Sequence, residues 1–167
     1  MSDHGDTNGE HGIFGKQTFY EGSARIPLLF EGKGIKKGQR IKGPVSIMDI
    51  GPTLCETTGA LTPPDQDGES RVPSLTSGED KRERGVISEF VESDRESSEQ
   101  KFIPGRMLRR GKWKYISYHG FAENDLLFNI KEDPHELKNV TAAYPGTVNS
   151  LKEELSKDWN PENIINT

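Results

Sequence analysis

Trp113-Lys114-Tyr115-Ile116-Ser117-Tyr118 alternates aromatic and polar side chains, and a period of two is the spacing of a half-buried strand. Reading outward from it, Arg110-Gly111-Lys112 and His119-Gly120 are short turn sequences. Beyond them, Arg106-Met107-Leu108-Arg109-Arg110 and Leu126-Leu127-Phe128-Asn129-Ile130 have the β-branched, aromatic and apolar content of strands, and Gly85-Val86-Ile87-Ser88-Glu89-Phe90-Val91 adds another. Four strands joined by short connections predict an antiparallel meander with one face to cover. The predicted cover is a helix over 147–159, in which Val148, Leu151, Leu155 and Trp159 recur at the spacing of an amphipathic stripe. Before it, Asp133-Pro134-His135-Glu136 reads as a single helical turn with Asp133 as cap, Pro134 at the first helical position and Glu136 favouring the dipole.

Toward the N-terminus the pattern changes. Residues 61–84 are proline-rich, acidic and poor in apolar side chains, which predicts a surface excursion. Residues 45–58 suggest a helix begun or interrupted at Pro52 and stopped by Gly59, with Ile47, Ile50 and Leu54 on one face directed to a core. Ile26-Pro27-Leu28-Leu29-Phe30 has the look of a short buried strand, limited by Pro27 to a strand start or an edge. Residues 1–25 read as loop with one helical turn. The expected fold class is therefore α+β, divided into 1–62, a connector over 63–84, and a second unit over 85–167.

Composition narrows the possible roles. The 167 residues are 31% hydrophobic with a net charge of −5, and mean hydropathy is −0.78, so the core should be small. The densest basic stretches, 33–42 and 106–114, are interrupted by glycine or apolar residues, and the acidic balance argues against a nucleic-acid partner. No run of about 18 apolar residues is present and the start is acidic and polar, so neither a membrane span nor a signal peptide is expected; cytoplasm and periplasm both stay open. The single cysteine, Cys55, lies in an apolar context that favours a buried structural thiol over a nucleophile.

The chemistry-bearing residues concentrate at the beginning. Ser2-Asp3-His4-Gly5-Asp6, Gly9-Glu10-His11-Gly12 and Lys16 gather acids, imidazoles, glycines and a lysine as an anion-handling metal site would. An Asp-His pair followed by glycine suits the point where a buried strand ends and turns into a cleft. Only Met1 precedes Ser2, so the chain reads as the C-terminal piece of something larger. A solvated, acidic tail is the competing reading for Asp3, His4 and Asp6, and an exposed loop lysine is the competing reading for Lys16.

Those stretches, with Phe19-Tyr20-Glu21-Gly22-Ser23-Ala24-Arg25-Ile26-Pro27, resemble the segment of sulfatases of the alkaline-phosphatase-like superfamily that supplies the second half of their metal site. Asp49-Ile50-Gly51-Pro52-Thr53-Leu54 resembles the helix that follows it. Arg109-Arg110-Gly111-Lys112-Trp113-Lys114-Tyr115-Ile116, Leu127-Phe128-Asn129-Ile130 and Asp133-Pro134-His135-Glu136-Leu137-Lys138-Asn139-Val140 resemble the small C-terminal sheet of the same enzymes. Ordered motifs over most of a chain are specific where any one alone would be weak. The Asp-His pair, the Glu-Gly-Ser-Ala-Arg string and the Asp-Pro-His-Glu ending are similar to the choline-sulfatase-like branch.

The resemblance implies a segment of the sulfatase α/β core followed by a small four-stranded antiparallel sheet packed on a C-terminal helix. It implies Asp3 and His4 as ligands of a divalent cation, usually calcium in this family, although an imidazole ligand leaves manganese or magnesium open. Lys16 would set an ammonium against the sulfate oxygens, and His11 would contact sulfate or donate a proton to the leaving oxygen. Glu89 would stand near the organic part of the substrate, where a cationic group would suit it; strand alternation alone would instead turn it to solvent. His119 and His135 are assigned no chemistry.

One departure limits the activity. The family's nucleophile is a formylglycine made within a C-x-P-x-R sequence, and Cys55 is followed by Thr57 and Gly59 where that motif needs Pro and Arg. Without nucleophile, activating arginine and half the ligands, the chain is expected to be inactive alone. Three readings follow: part of a sulfate-ester hydrolase, part of a phosphatase or phosphodiesterase of the same superfamily, or a non-catalytic module that self-associates through surface an N-terminal region would cover.

Overall fold

The computed structural model describes residues 1–80, 83–94 and 101–165. Two residues of the expected connector, 81 and 82, lie outside that description.

The meander forms as its alternation predicts. Strands β1 (Gly85–Asp94), β2 (Lys101–Arg110), β3 (Trp113–Tyr118) and β4 (Leu126–Asn129) make one antiparallel sheet in the order β1-β2-β3-β4. The register pairs Leu108 with Tyr115 and Tyr115 with Leu127, which puts these three side chains side by side on one face. Strand β2 starts earlier than its sequence suggests, because Pro104 and Gly105 interrupt the strand-like composition. Gly105 is needed there: a Cβ would lie 2.8 Å from the Tyr118 ring.

The sheet has two covered faces, not one. Leu108, Tyr115 and Leu127 pack on Leu151 and Leu155 of helix α4 (Pro145–Ser156). Met107, Ile116 and Phe128 pack on Phe19, with Tyr20, Ala24 and Phe90 alongside. The alternation in β3 hides this second face because its first member there is a charged residue, Lys114, which is 0% exposed. Helix α4 stops at Ser156, since Lys157 is extended and Asp158 has φ 59. Trp159 therefore leaves the expected stripe and lies 5.0 Å from the Arg106 guanidinium, before the short helix closing the chain at Glu162–Ile165.

The expected helical turn at 133–136 is absent. Glu136 adopts φ 55 because its carboxylate, almost wholly buried, accepts the Glu21 N–H at 2.6 Å and lies 2.7 Å from Lys114 Nζ. One charge-assisted hydrogen bond and one buried ion pair outweigh a left-handed backbone that costs a non-glycine residue about 1 kcal/mol.

Before the sheet, helix α1 (Glu21–Ala24) is the one turn expected in the first 25 residues, joined by a 3₁₀ turn at Glu10–Gly12. The apolar run at 26–30 is not a strand: it pairs with no other described strand, and Leu29 is 80% exposed. Helix α2 (Ile50–Thr58) begins after a 3₁₀ turn capped by Ser46 and Asp49 and ends at Gly59, with φ 70.

Its buried face is opposite to the expected one. Ile47 and Leu54 are about half exposed, at 52% and 53%, whereas Asp49 and Thr53 are buried. Those two polar residues hold the following segment: Thr53 Oγ1 accepts the Arg71 N–H at 2.9 Å, and the Asp49 carboxylate accepts the Glu69 N–H at 3.0 Å and pairs with Arg84. The expected surface excursion holds for residues 61–65, which are exposed, but from Glu69 onward the described part of the stretch is docked. It contains helix α3 (Val72–Ser77), flanked by a buried ion pair between Arg71 and Asp80.

Candidate functional site

Asp3, His4 and Lys16 belong to one loop that doubles back on itself. Thr7, fully buried, closes it: its amide donates to the Gly15 carbonyl at 3.0 Å, and its hydroxyl lies 2.8 Å from the carbonyls of Ile13 and Gly15. Asp6 Oδ1 accepts the amides of Asn8 and Gly15. The loop is laid against α1 at Gly5, whose N–H donates to Ser23 O at 2.8 Å and whose added Cβ would be 2.0 Å from Gly22 O. Ser23 Oγ in turn donates to Lys16 O at 2.5 Å. Ser23 thus ties both limbs of the loop.

That closure brings side chains twelve residues apart together. Lys16 Nζ lies 2.9 Å from His4 Nε2, and Asp3 Oδ2 lies 3.4 Å from the same nitrogen. His4 Nδ1 lies 2.8 Å from Gly5 O; a carbonyl only accepts, so the proton sits on Nδ1 and the lone pair on Nε2 faces Lys16. The Asp3 carboxyl is held below its ordinary value, first by its own amide and that of His4, then by the charges of His4 and Lys16.

His11 and Glu89 have partners of their own. His11, with φ 54, stacks flat on Tyr20 at 3.8 Å. Glu89 faces Arg106 across β1 and β2, and Arg106 Nε donates to Glu89 Oε2 at 2.6 Å. Arg106 also donates to Leu155 O at 3.0 Å, so the guanidinium is tied to α4 as well. The Glu89 carboxylate is thereby matched by a cation already.

As a metal site, Asp3 and His4 supply two donors of the right chemistry, an anionic oxygen and an imidazole nitrogen whose lone pair Lys16 Nζ meets at 2.9 Å. A hard divalent cation takes six or more ligands, and among the described residues no group of three His, Cys, Asp or Glu could hold one. The pair fits part of a coordination shell. The remainder has to come from elsewhere.

Sequence reasoning missed the anchor of this loop. Lys114 Nζ lies 2.9 Å from Glu21 Oε1 and 2.7 Å from Glu136 Oε1, and Glu136 Oε2 accepts the Glu21 N–H. The signal was present: a lysine sharing a strand face with Ile116 and Tyr118 is a charge on an apolar face, which is buried only when paired. Tyr20, next to this cluster, has its phenol pushed up by burial and then by Glu136.

No described helix is long and apolar enough to cross a membrane. A family profile described as "N-sulphoglucosamine sulphohydrolase, C-terminal" matches residues 9–160. Arylsulfatase K of Homo sapiens is 37% identical over 163 residues, covering 92% of this chain and 29% of that protein. The choline-sulfatase of Rhizobium meliloti (strain 1021) is 34% identical over 169 residues, covering 96% of this chain and 31% of that protein. Among solved structures, that of a 2-O GAG sulfatase superposes with a TM-score of 0.75 at 28% identity, over 93% of this chain and 34% of the other. The chain thus spans less than a third of the length of these curated relatives.

Proposed function

This chain belongs to the sulfatase family, in the C-terminal region that the matching profile describes, and we propose that it supplies one half of a site that hydrolyses sulfate esters. The other half, with the nucleophile, lies in sequence outside these 167 residues. The observation that carries the reading is the convergence of Lys16 on the Asp3-His4 pair, with 2.9 Å between Lys16 Nζ and His4 Nε2. An ammonium set beside two metal-ligand donors is an arrangement for a tetrahedral oxyanion rather than for an apolar ligand.

In this reading Asp3 and His4 hold a divalent cation, calcium by family habit, with manganese or magnesium also suited to the imidazole. A cation bound there supplies Lewis-acid polarisation of a sulfate oxygen. Lys16 donates to the sulfate oxygens and offsets the charge that builds on the transferred group. His11, exposed and stacked on Tyr20, contacts sulfate or protonates the leaving oxygen. Glu89 reaches a cationic group of the substrate only by exchanging its Arg106 partner, held at 2.6 Å.

Phosphate esters share the tetrahedral anion and are the competing substrates. The deciding experiment assays the full-length protein containing this chain against an aryl sulfate and an aryl phosphate. A sulfate preference supports the reading, and a strong preference for phosphate reverses it.

A further inference from the structure

Resting on the sulfatase reading, we propose that Lys114 and Glu136 are positioning residues: through Glu21 they lock the backbone that carries Asp3, His4 and Lys16 to the C-terminal sheet. Lys114 is the second residue of β3 and fully buried, and Glu136 is buried in the loop after β4, so both are seated on the C-terminal sheet. Glu21 opens α1 on the site side. Its carboxylate meets Lys114 Nζ at 2.9 Å and its amide meets Glu136 Oε2 at 2.6 Å, so one residue is gripped by both side chain and main chain.

From Glu21 the path to the site is short. Ser23, two residues on, accepts the Gly5 amide at 2.8 Å, next to the Asp3-His4 pair, and its hydroxyl holds Lys16 O at 2.5 Å. A shift of α1 relative to the sheet therefore displaces the metal-ligand donors and the lysine. A misplacement of about 1 Å can lower turnover about 100-fold.

Stability alone does not account for this cluster. Buried ion pairs are weak evidence for stability, because apolar residues of similar volume often serve as well. The second face of the sheet is already closed by Phe19, Met107, Ile116 and Phe128. What a carboxylate adds to such a core is direction, since Glu136 bonds one particular amide and holds it in one place.

The test uses the full-length protein with Glu136→Ala, Glu136→Gln and Lys114→Met, read by hydrogen exchange and by aryl-sulfate kinetics. Glu136→Gln keeps an acceptor for the Glu21 amide and serves if the alanine variant fails to fold. Expected in Glu136→Ala and Lys114→Met is exchange about tenfold faster at the amides of Gly5, Glu21 and Ser23, with the β2 and β3 amides within twofold of wild type. With it, kcat falls about 100-fold while KM changes less than threefold, and Glu136→Gln recovers most of both. Unchanged exchange at Gly5 and Ser23, or equally faster exchange across β2 and β3, overturns the proposal. Should the wild-type protein lack sulfatase activity, the sulfatase reading fails while the exchange data still decide the anchoring.

Discussion

In the sulfatase reading Lys16 is the residue on which the chemistry turns, because the loop closure brings its ammonium to the Asp3-His4 pair. In the full-length enzyme Lys16→Ala is expected to lower kcat about 100- to 1,000-fold, the usual cost of one preorganised donor, with an unchanged circular-dichroism spectrum. Near-normal turnover would remove Lys16 from the site. Asp49 carries a different prediction. Burial pushes its carboxyl up, but the Arg84 hydrogen bond, the Glu69 and Ser46 amides and the Arg84 charge together hold it below the ordinary 3.8. A carboxyl depressed by folding contributes stability at pH values above its unfolded value and loses it as the pH falls through the folded one. Asp49→Asn should therefore cost about 1–3 kcal/mol at pH 7 in urea denaturation, and the gap to wild type should narrow below about pH 4. At this scale the sequence pointed to one stretch of acids, imidazoles and a lysine, and the structure brings Asp3, His4 and Lys16 of that stretch together. Which residue anchors which was not legible, because Lys114 and Glu21 are 93 positions apart and nothing local links them.

The four strands were readable from alternation and turn residues, and α2 from Pro52 and Gly59. Which face of α2 is buried was not readable, because the choice depends on Asp49 and Thr53 finding partners at Glu69, Arg71 and Arg84 rather than on apolar spacing. Hence Ile47→Asn and Leu54→Asn should each change the stability of this chain by no more than about 0.5 kcal/mol, as exposed positions do. A loss of 2 kcal/mol or more would restore the sequence's original reading of that face. Leu155→Ala on α4, 1% exposed and packed on Tyr115 and Leu127, should by contrast cost about 2–5 kcal/mol in the same measurement. The turn at Glu136 failed as a helix prediction for a related reason: Asp-Pro-x-Glu satisfies local capping rules, but a distant amide and a buried ammonium take the carboxylate.

For the whole molecule, the expectation of an α+β chain with a small sheet on a C-terminal helix matches the structure and its sulfatase neighbours. The second covered face of that sheet was invisible until the first 25 residues could be seen packed on it. Two donors cannot make a tight site, so calorimetry on this chain alone should detect no divalent-metal affinity in the micromolar range. Tight binding would mean that the site is more self-contained than Asp3 and His4 suggest. The long reach from Glu21 to Glu136, 115 positions, also has a consequence for biosynthesis. The loop is among the first parts of this segment to leave the ribosome, yet its partners are among the last. At about 5–20 residues per second it waits roughly 6–23 s for them, during which the neighbouring aromatics Phe19 and Tyr20 are open to chaperones and proteases.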